Sequence, residues 1–276
     1  MQISELFKVE GYGVVVTGGA SGIGLAYAEA LAENGARVTI LDIDAQAIER
    51  QSQRLKELGY SVRGEVVDVR DSGAIDSAFD SAVRVHERLD VVFANAGIDS
   101  GPGFLGSWTG TGRQRNPAGS LENYSNERWN RVIETNLNST FATLRAGARL
   151  MRARRSGRMI VTTSVAAYQC EPAIGAAYMA AKAGAAHLMR CIAQELAADG
   201  ITVNAIAPGF FVTNIGGGHA KHPQVQAAMG STIPTHRVGF PEDIKGLALF
   251  LASPASAYVT GQQITIDGGW TLGAAD

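Results

Sequence analysis

The chain predicts an α/β fold, a doubly wound parallel sheet of about seven strands with helices on both faces. Three observations predict it. Short runs rich in valine and isoleucine alternate with helical stretches along the 276 residues. The runs are apolar almost throughout, not at every second position, as expected of a sheet covered on both faces. A glycine-rich turn also joins the first run to the first helical stretch, as at the ligand end of such sheets.

The elements follow in order. Gly13 to Thr17 is the first strand, and Arg37 to Asp42, Ser61 to Val67, Asp90 to Ala94, Arg158 to Thr163 and Ile201 to Ile206 are further ones. Asn34-Gly35, Leu58-Gly59, Ser156-Gly157 and Asp199-Gly200 each end a helical stretch just before a strand, where glycine accepts the left-handed conformation. No composition shift marks a linker and no internal repeat appears, so residues 1–276 read as a single domain of the Rossmann type. Two segments break the rhythm. One, about 99–125, holds Gly101, Gly103, Gly106, Gly110, Gly112, Pro117 and Gly119, and is too long for an idle connection. The other, about 209–234, contains Gly216, Gly217 and Gly218, a hinge suited to a substrate lid.

Composition narrows the classes of function. Hydrophobic residues make up 46% of the chain, enough for a substantial core. A formal net charge of −2 provides no basic field for nucleic acid. No apolar stretch is long enough to cross a bilayer and the start, MQISELFKVEG, has no signal-peptide pattern, so a cytoplasmic address is expected. Cys170 and Cys191 have no paired spacing, which indicates neither a disulfide framework nor a zinc site. His219 and His222 are three apart, but no nearby carboxylate or cysteine completes a ligand set, and no metal is expected.

The glycine-rich turn reads TGGASGIG over residues 17–24. Its position between strand and helix lets backbone N–H groups and the helix dipole receive a pyrophosphate. Gly18, Gly22 and Gly24 depart from the common G-x-G-x-x-G spacing, and taken alone they also read as a tight turn. Asp42 ends the second strand 18 residues after Gly24, where an acidic group reaches the adenosine ribose. A carboxylate there accepts hydrogen bonds from NAD and repels the 2′-phosphate of NADP by about 4 kcal/mol at close range. No basic residue at Ala20, Ser21, Ile43 or Asp44 compensates. The expected cofactor is NAD, held by Gly18, Ser21, Gly22, Ile23, Gly24, Asp42 and Ile43; the other reading of Asp42 is a solvated strand-end aspartate.

Tyr178 and Lys182 stand four residues apart in AAYMAAKAG, a helical stretch, so phenol and ammonium share one face. A cation held beside a tyrosine stabilises the phenolate and prepares a general base for an alcohol proton. The spacing by itself is common, and an ordinary tyrosine beside an exposed lysine is the plain alternative. A hydroxyl-rich strand end, Val161-Thr162-Thr163-Ser164, lies just upstream.

Taken together these segments resemble the short-chain dehydrogenase/reductase family over almost the whole chain. The matching stretches are TGGASGIG at 17–24, Asp68 with Val69, Asn95-Ala96-Gly97, Asn136 within TNLNSTF, Ser164, Tyr178 to Lys182, Pro208-Gly209 with Thr213, and Asp267 to Trp270. The resemblance implies that Asp68 and Val69 meet the adenine and that Asn95, Ala96 and Gly97 border the cofactor. It further implies that Pro208, Gly209, Phe211 and Thr213 surround the nicotinamide, which Tyr178 and Lys182 also touch. Asn136, Ser164, Tyr178 and Lys182 would form the catalytic set, with Asn136 holding a water that links Lys182 to solvent. Read independently, Asn95 is a turn residue and Asn136 a polar helix position.

The implied activity is hydride transfer between a secondary alcohol, or its ketone, and NAD. Tyr178 would move the proton, Ser164 would hold the substrate oxygen, and Lys182, helped by the positive nicotinamide, would lower the tyrosine pKa and also bind the nicotinamide ribose. A homotetramer is implied as well, with contacts through the helix holding Tyr178 and the segment around Trp270. Two other readings remain, a 3-oxoacyl thioester reductase and a non-catalytic dinucleotide-binding sensor. Two features depart from the family's arrangement. Ser164 and Tyr178 are 14 positions apart, one more than usual, across a loop with Tyr168, Gln169, Cys170 and Glu171. The 99–125 segment is long, and its Arg113 and Arg115 read either as partners for an anionic substrate group or as solvated surface charges.

Overall fold

The computed structural model describes residues 2–106 and 113–273; Gly110 and Gly112 of the long glycine-rich segment lie outside the described residues. Seven strands form one parallel sheet: β1 (Gly13–Thr17), β2 (Arg37–Asp42), β3 (Val62–Val66), β4 (Val91–Ala94), β5 (Gly157–Thr162), β6 (Ile201–Pro208) and β7 (Gln263–Ile266). Their order is β3-β2-β1-β4-β5-β6-β7. The chain therefore winds outward from β1 in one direction and from β4 in the other. Their pairing, Val14 to Val91, Val15 to Val92 and Val16 to Phe93, marks the switch point, outside whose carboxyl ends such sheets bind ligands.

The apolar runs form strands because both of their faces find cover. Val14 and Val16 join an apolar layer with Tyr27 and Leu31 of α2 (Gly22–Glu33) and Leu251 of α9 (Lys245–Ala252). Val15, between them in sequence, points into the opposite layer. There it packs with Phe79 of α4 (Ser72–His86), Leu144 of α6 (Ser139–Met151) and Met189 of α7 (Ala176–Leu196). Tyr27 and Phe93 stack at 4.5 Å between ring centroids, both fully buried. Large apolar side chains buried this way contribute about 1.5–3 kcal/mol each.

The six expected strands are present with ends shifted by at most two residues. The seventh, Gln263–Ile266, is a short half-exposed edge strand whose polar residues gave it no apolar run. Three of the glycine stops behave as expected, with Gly35, Gly59 and Gly200 at φ of 82°, 87° and 70°. The fourth does not. Arg155 takes the left-handed turn at φ 48°, and Gly157 is the first residue of β5. Glycine is needed there for closeness instead, because a Cβ would sit 2.3 Å from Met151 Sδ.

Candidate active site

A cleft of about 550 Å³ opens at the switch point. One wall is the glycine turn after β1. A Cβ on Gly24 would lie 2.1 Å from the Gly18 carbonyl oxygen, so the first turn of α2 packs against the loop that feeds it. Ser21, at the N-cap of α2, makes no side-chain capping bond, which leaves the first N–H groups of the helix to a ligand. Thr213 faces this turn across the cleft, 3.4 Å from where a Gly22 Cβ would stand.

Asn95 braces the cradle. Its amide donates to the carbonyls of Thr17 (3.0 Å) and Gly18 (3.1 Å), while its side-chain oxygen accepts from Thr162 Oγ1 (3.0 Å). Thr17 contributes a part that went unread in the sequence. Its hydroxyl accepts from the Asn95 and Ala96 N–H groups at 3.0 and 3.2 Å and so pins β4 to β1. A strand-end hydroxyl at the head of a glycine turn was the available signal.

Asp42 reaches into the same end of the cleft. One carboxylate oxygen accepts from Ala20 N (3.0 Å) and the other from Asp44 N (3.2 Å), which fixes its direction, and Ile43 beside it is exposed. Asp68 and Val69 also line the cleft. Arg70 grips the Asp68 carboxylate at 2.6 Å and holds its pKa below the usual carboxylate value. Gly18, Ile23, Ala96, Gly97, Pro208, Gly209, Phe211 and Thr213 complete the lining expected from sequence, with Asp99, Arg131 and Thr135 as additions.

At the other end of the lining stand Ser164, Tyr178 and Lys182. Ser164 follows β5 and its oxygen accepts from Ala166 N (3.1 Å), which orients the hydroxyl at the start of a short 3₁₀ turn. Tyr178 lies in the first turn of α7 and Lys182 one turn on. The ammonium nitrogen is 5.6 Å from the centre of the tyrosine ring, on the same helix face. Lys182 is 4% exposed and donates to the Thr162 carbonyl at 2.7 Å, with two further donors to spare. A Cβ on Gly97 would come within 3.5 Å of that ammonium, so glycine leaves the approach open.

The electrostatics of the free chain differ from the expectation that lysine lowers the tyrosine pKa. Burial, above all, raises the Tyr178 phenol; the nearby Ser164 hydroxyl pulls it down and Asp99 adds to the rise. Burial likewise lowers Lys182 to about 8. At neutral pH the phenol is protonated and the amine is mostly charged. The reason is physical: two polar groups surrounded largely by protein atoms both shift toward their neutral forms until a further charge arrives.

Asn136 is fully buried in a wide turn, Glu134–Asn138, between α5 (Asn126–Ile133) and α6. Its side chain clips the Ile98 backbone, donating to the carbonyl and accepting from the N–H, each at 2.8 Å. That commits the amide to holding the chain after Gly97. The backbone carbonyl of Asn136 accepts from Thr140 Oγ1 at 2.9 Å.

Arg113 and Arg115 do not line the cleft. Arg113 is paired with both oxygens of buried Glu171, and Arg115 joins Leu105 in a backbone bridge. The anion-binding reading finds no support at either position.

A parallel sheet with a glycine cradle at its switch point is the architecture of a dinucleotide-binding protein. Comparison with known proteins narrows the class. The family described as enoyl-(acyl carrier protein) reductase matches residues 18–271. The 3-oxoacyl-[acyl-carrier-protein] reductase FabG of Chlamydia pneumoniae is 34% identical over 262 residues, 94% of this chain and 96% of that protein. Galactitol 2-dehydrogenase (L-tagatose-forming) of Cereibacter sphaeroides is 33% identical over 274 residues, 99% of this chain and 100% of that one. The crystal structure of a gluconate 5-dehydrogenase from Burkholderia cenocepacia J2315, in complex with NADP and tartrate, superposes with a TM-score of 0.86. It is 29% identical and the match covers 99% of this chain and all of that one. The chain belongs to the short-chain dehydrogenase/reductase family, oxidoreductases that use a nicotinamide dinucleotide on small-molecule substrates.

Proposed function

We propose that the protein is an NAD-dependent oxidoreductase that interconverts a secondary alcohol and its ketone. One observation carries the reading: Ser164, Tyr178 and Lys182 converge in a cleft that an oriented carboxylate, Asp42, also lines. The bound dinucleotide supplies the hydride acceptor or donor. The residues present fit such a group, since uncapped N–H groups meet the pyrophosphate and Asp42 meets the adenosine ribose. Lys182, with two free donors, binds the nicotinamide ribose.

The chemistry left to the chain is proton movement and orientation. Tyr178 takes the alcohol proton on its phenolate oxygen, or gives it to the forming alkoxide in reduction. Ser164 donates to the same substrate oxygen. The raised tyrosine pKa of the free chain implies that the phenolate needs a positive neighbour, which Lys182 and the oxidised nicotinamide jointly provide. Asn136, whose clip on Ile98 holds the chain after Gly97, is assigned the holding of a water that relays protons from Lys182 to solvent. The segment 209–234 closes over the substrate, a role supported by Gly216, Gly217 and Gly218, all left-handed at φ of 64° to 75°, with the first two lining the cleft. Assembly as a homotetramer through α7 and the Trp270 segment belongs to the same reading, and light scattering of the purified chain tests it.

A second reading, reduction of a 3-oxoacyl thioester, is favoured by the Chlamydia relative and by a phenol poised as a proton donor. Asp42 opposes it wherever NADPH is the reductant. A panel of secondary alcohols with NAD, and of ketones and a 3-oxoacyl thioester with NADH and NADPH, followed by absorbance of the reduced nicotinamide, separates the two. Turnover in no combination would leave only a dinucleotide sensor.

A further inference from the structure

Residues 171–175 precede the helix that carries Tyr178, and the described residues of the 99–125 segment are fastened to them at two points. The first is organised by Arg128, in the opening turn of α5. Its guanidinium donates to three carbonyls of that segment: Nε to Ser100 (2.5 Å), Nη1 to Ala118 (2.8 Å) and Nη2 to Pro102 (2.5 Å). It also lies over the Tyr124 ring at 4.0 Å, and the Tyr124 hydroxyl donates to Ser100 O at 3.3 Å. This cluster sits directly on Gly175, the N-cap of α7. Ser100 Oγ donates to the Gly175 carbonyl (3.0 Å), and a Cβ on Gly175 would meet Ser100 Oγ at 2.6 Å and Arg128 Nη2 at 2.9 Å. The second fastening is a short ladder. Gly103 N donates to Ala173 O (2.9 Å), Leu105 N to Pro172 O (3.1 Å), and Arg113 neutralises buried Glu171, which also accepts from Ala173 N (3.0 Å).

We propose that Arg128 is a positioning residue for the reaction: by gathering three carbonyls of the 99–125 segment beneath Gly175 it sets where α7 begins, and hence where Tyr178 meets the substrate oxygen opposite Ser164. The proposal rests on the role assigned to Tyr178. A fork of five N–H donors in one plane suits three carbonyls and an aromatic face at once, which a lysine ammonium does not match. Gly103 fits this picture, since a Cβ there would stand 2.1 Å from the Pro172 carbonyl oxygen. The described residues of the segment thus brace the loop between Ser164 and Tyr178 through backbone more than through charge. None of these contacts touches the glycine turn or Asp42.

The test uses Arg128→Ala, Arg128→Lys and Glu171→Gln in the full chain. Displacement of the phenol by about 1 Å is expected to cost about 100-fold in kcat. Dinucleotide affinity, measured by fluorescence titration, stays within about twofold of wild type on the same reasoning, because the cradle is separate. Guanidinium ion at millimolar concentration partly restores kcat to Arg128→Ala, while the lysine variant stays impaired; Glu171→Gln shows a smaller loss of the same kind. Hydrogen exchange provides a readout independent of turnover: in Arg128→Ala, residues 99–106 and 171–178 exchange faster together while α2 is unchanged. The proposal is overturned if kcat is unaffected, if dinucleotide affinity falls in step with kcat, or if only one of the two segments loosens. Failure of the functional reading is separately visible, as wild-type protein that turns over no alcohol yet still shows the paired exchange.

Discussion

Removing the charge of Asp42 while keeping its shape, as Asp42→Asn, isolates what this side chain does to dinucleotide choice. Its oxygens are held by Ala20 N at 3.0 Å and Asp44 N at 3.2 Å, so the carboxylate is fixed where the proposed function puts the adenosine ribose. Against a 2′-phosphate at about 4 Å, two unit charges repel by about 4 kcal/mol at intermediate dielectric. That corresponds to about a thousandfold in affinity. Asp42 is only half-buried, and screening by water and salt brings the expected discrimination down to about a hundredfold at physiological ionic strength. The asparagine variant keeps an acceptor for the ribose hydroxyls, so NAD binding weakens by about 1 kcal/mol, the difference between a charged and a neutral hydrogen bond. The assay is kcat/KM for NAD and for NADP with one alcohol, for both proteins, at low and at moderate salt. The variant is expected to lose most of the preference, and added salt to narrow the wild-type ratio. A wild type that uses NADP as readily as NAD, or a ratio unmoved by the substitution, would refute the reasoning.

Three further outcomes follow from the structure. His86 is buried against Thr39 at 2.8 Å, and burial, aided by Arg37 and Arg63, lowers its pKa from 6.5 to about 4. The unfolded chain then binds the extra proton first, so stability is complete above pH 6.5 and falls by about 3 kcal/mol as pH drops toward 4. Urea unfolding across that range checks it, with His86→Gln expected to flatten the dependence. Gly24→Ala forces a Cβ to 2.1 Å from the Gly18 carbonyl oxygen; dinucleotide binding by calorimetry should be lost while the circular dichroism spectrum is retained. Phe93→Ala empties a fully buried site beside Tyr27 and should cost about 3–5 kcal/mol in chemical denaturation.

The sheet was legible because a strand buried on both faces needs an unbroken apolar run, and Val14-Val15-Val16 and its counterparts supply one. Gln263–Ile266 was hidden because an edge strand, half-covered, tolerates polar residues and leaves no such signature. Tyr178 and Lys182 were legible from helical spacing only in company with the hydroxyl-rich strand end at Ser164 and the glycine-rich turn, and Asp42 from its distance to that turn. What spacing does not carry is partnership across the chain. Lys182 meets the Thr162 carbonyl 20 residues away, and Arg113 meets Glu171 58 residues away. In the sequence Arg113 therefore read either as a partner for an anionic substrate group or as a solvated surface charge, and its pairing with Glu171 was in neither reading. The raised tyrosine pKa of the free chain was hidden for a related reason: a lysine one turn away is visible in sequence, whereas the burial that raises the phenol is a property of packing.

The most direct measurement is Tyr178→Phe, which deletes one hydroxyl from the half-buried tyrosine in the first turn of α7, assayed for NAD affinity and for alcohol turnover in the same preparation. Affinity within about twofold of wild type, with kcat down by about a thousandfold or more, is expected when one group supplies the proton step. Unimpaired turnover in that variant, or a loss of NAD binding equal to the loss of rate, would contradict the role assigned to the phenol.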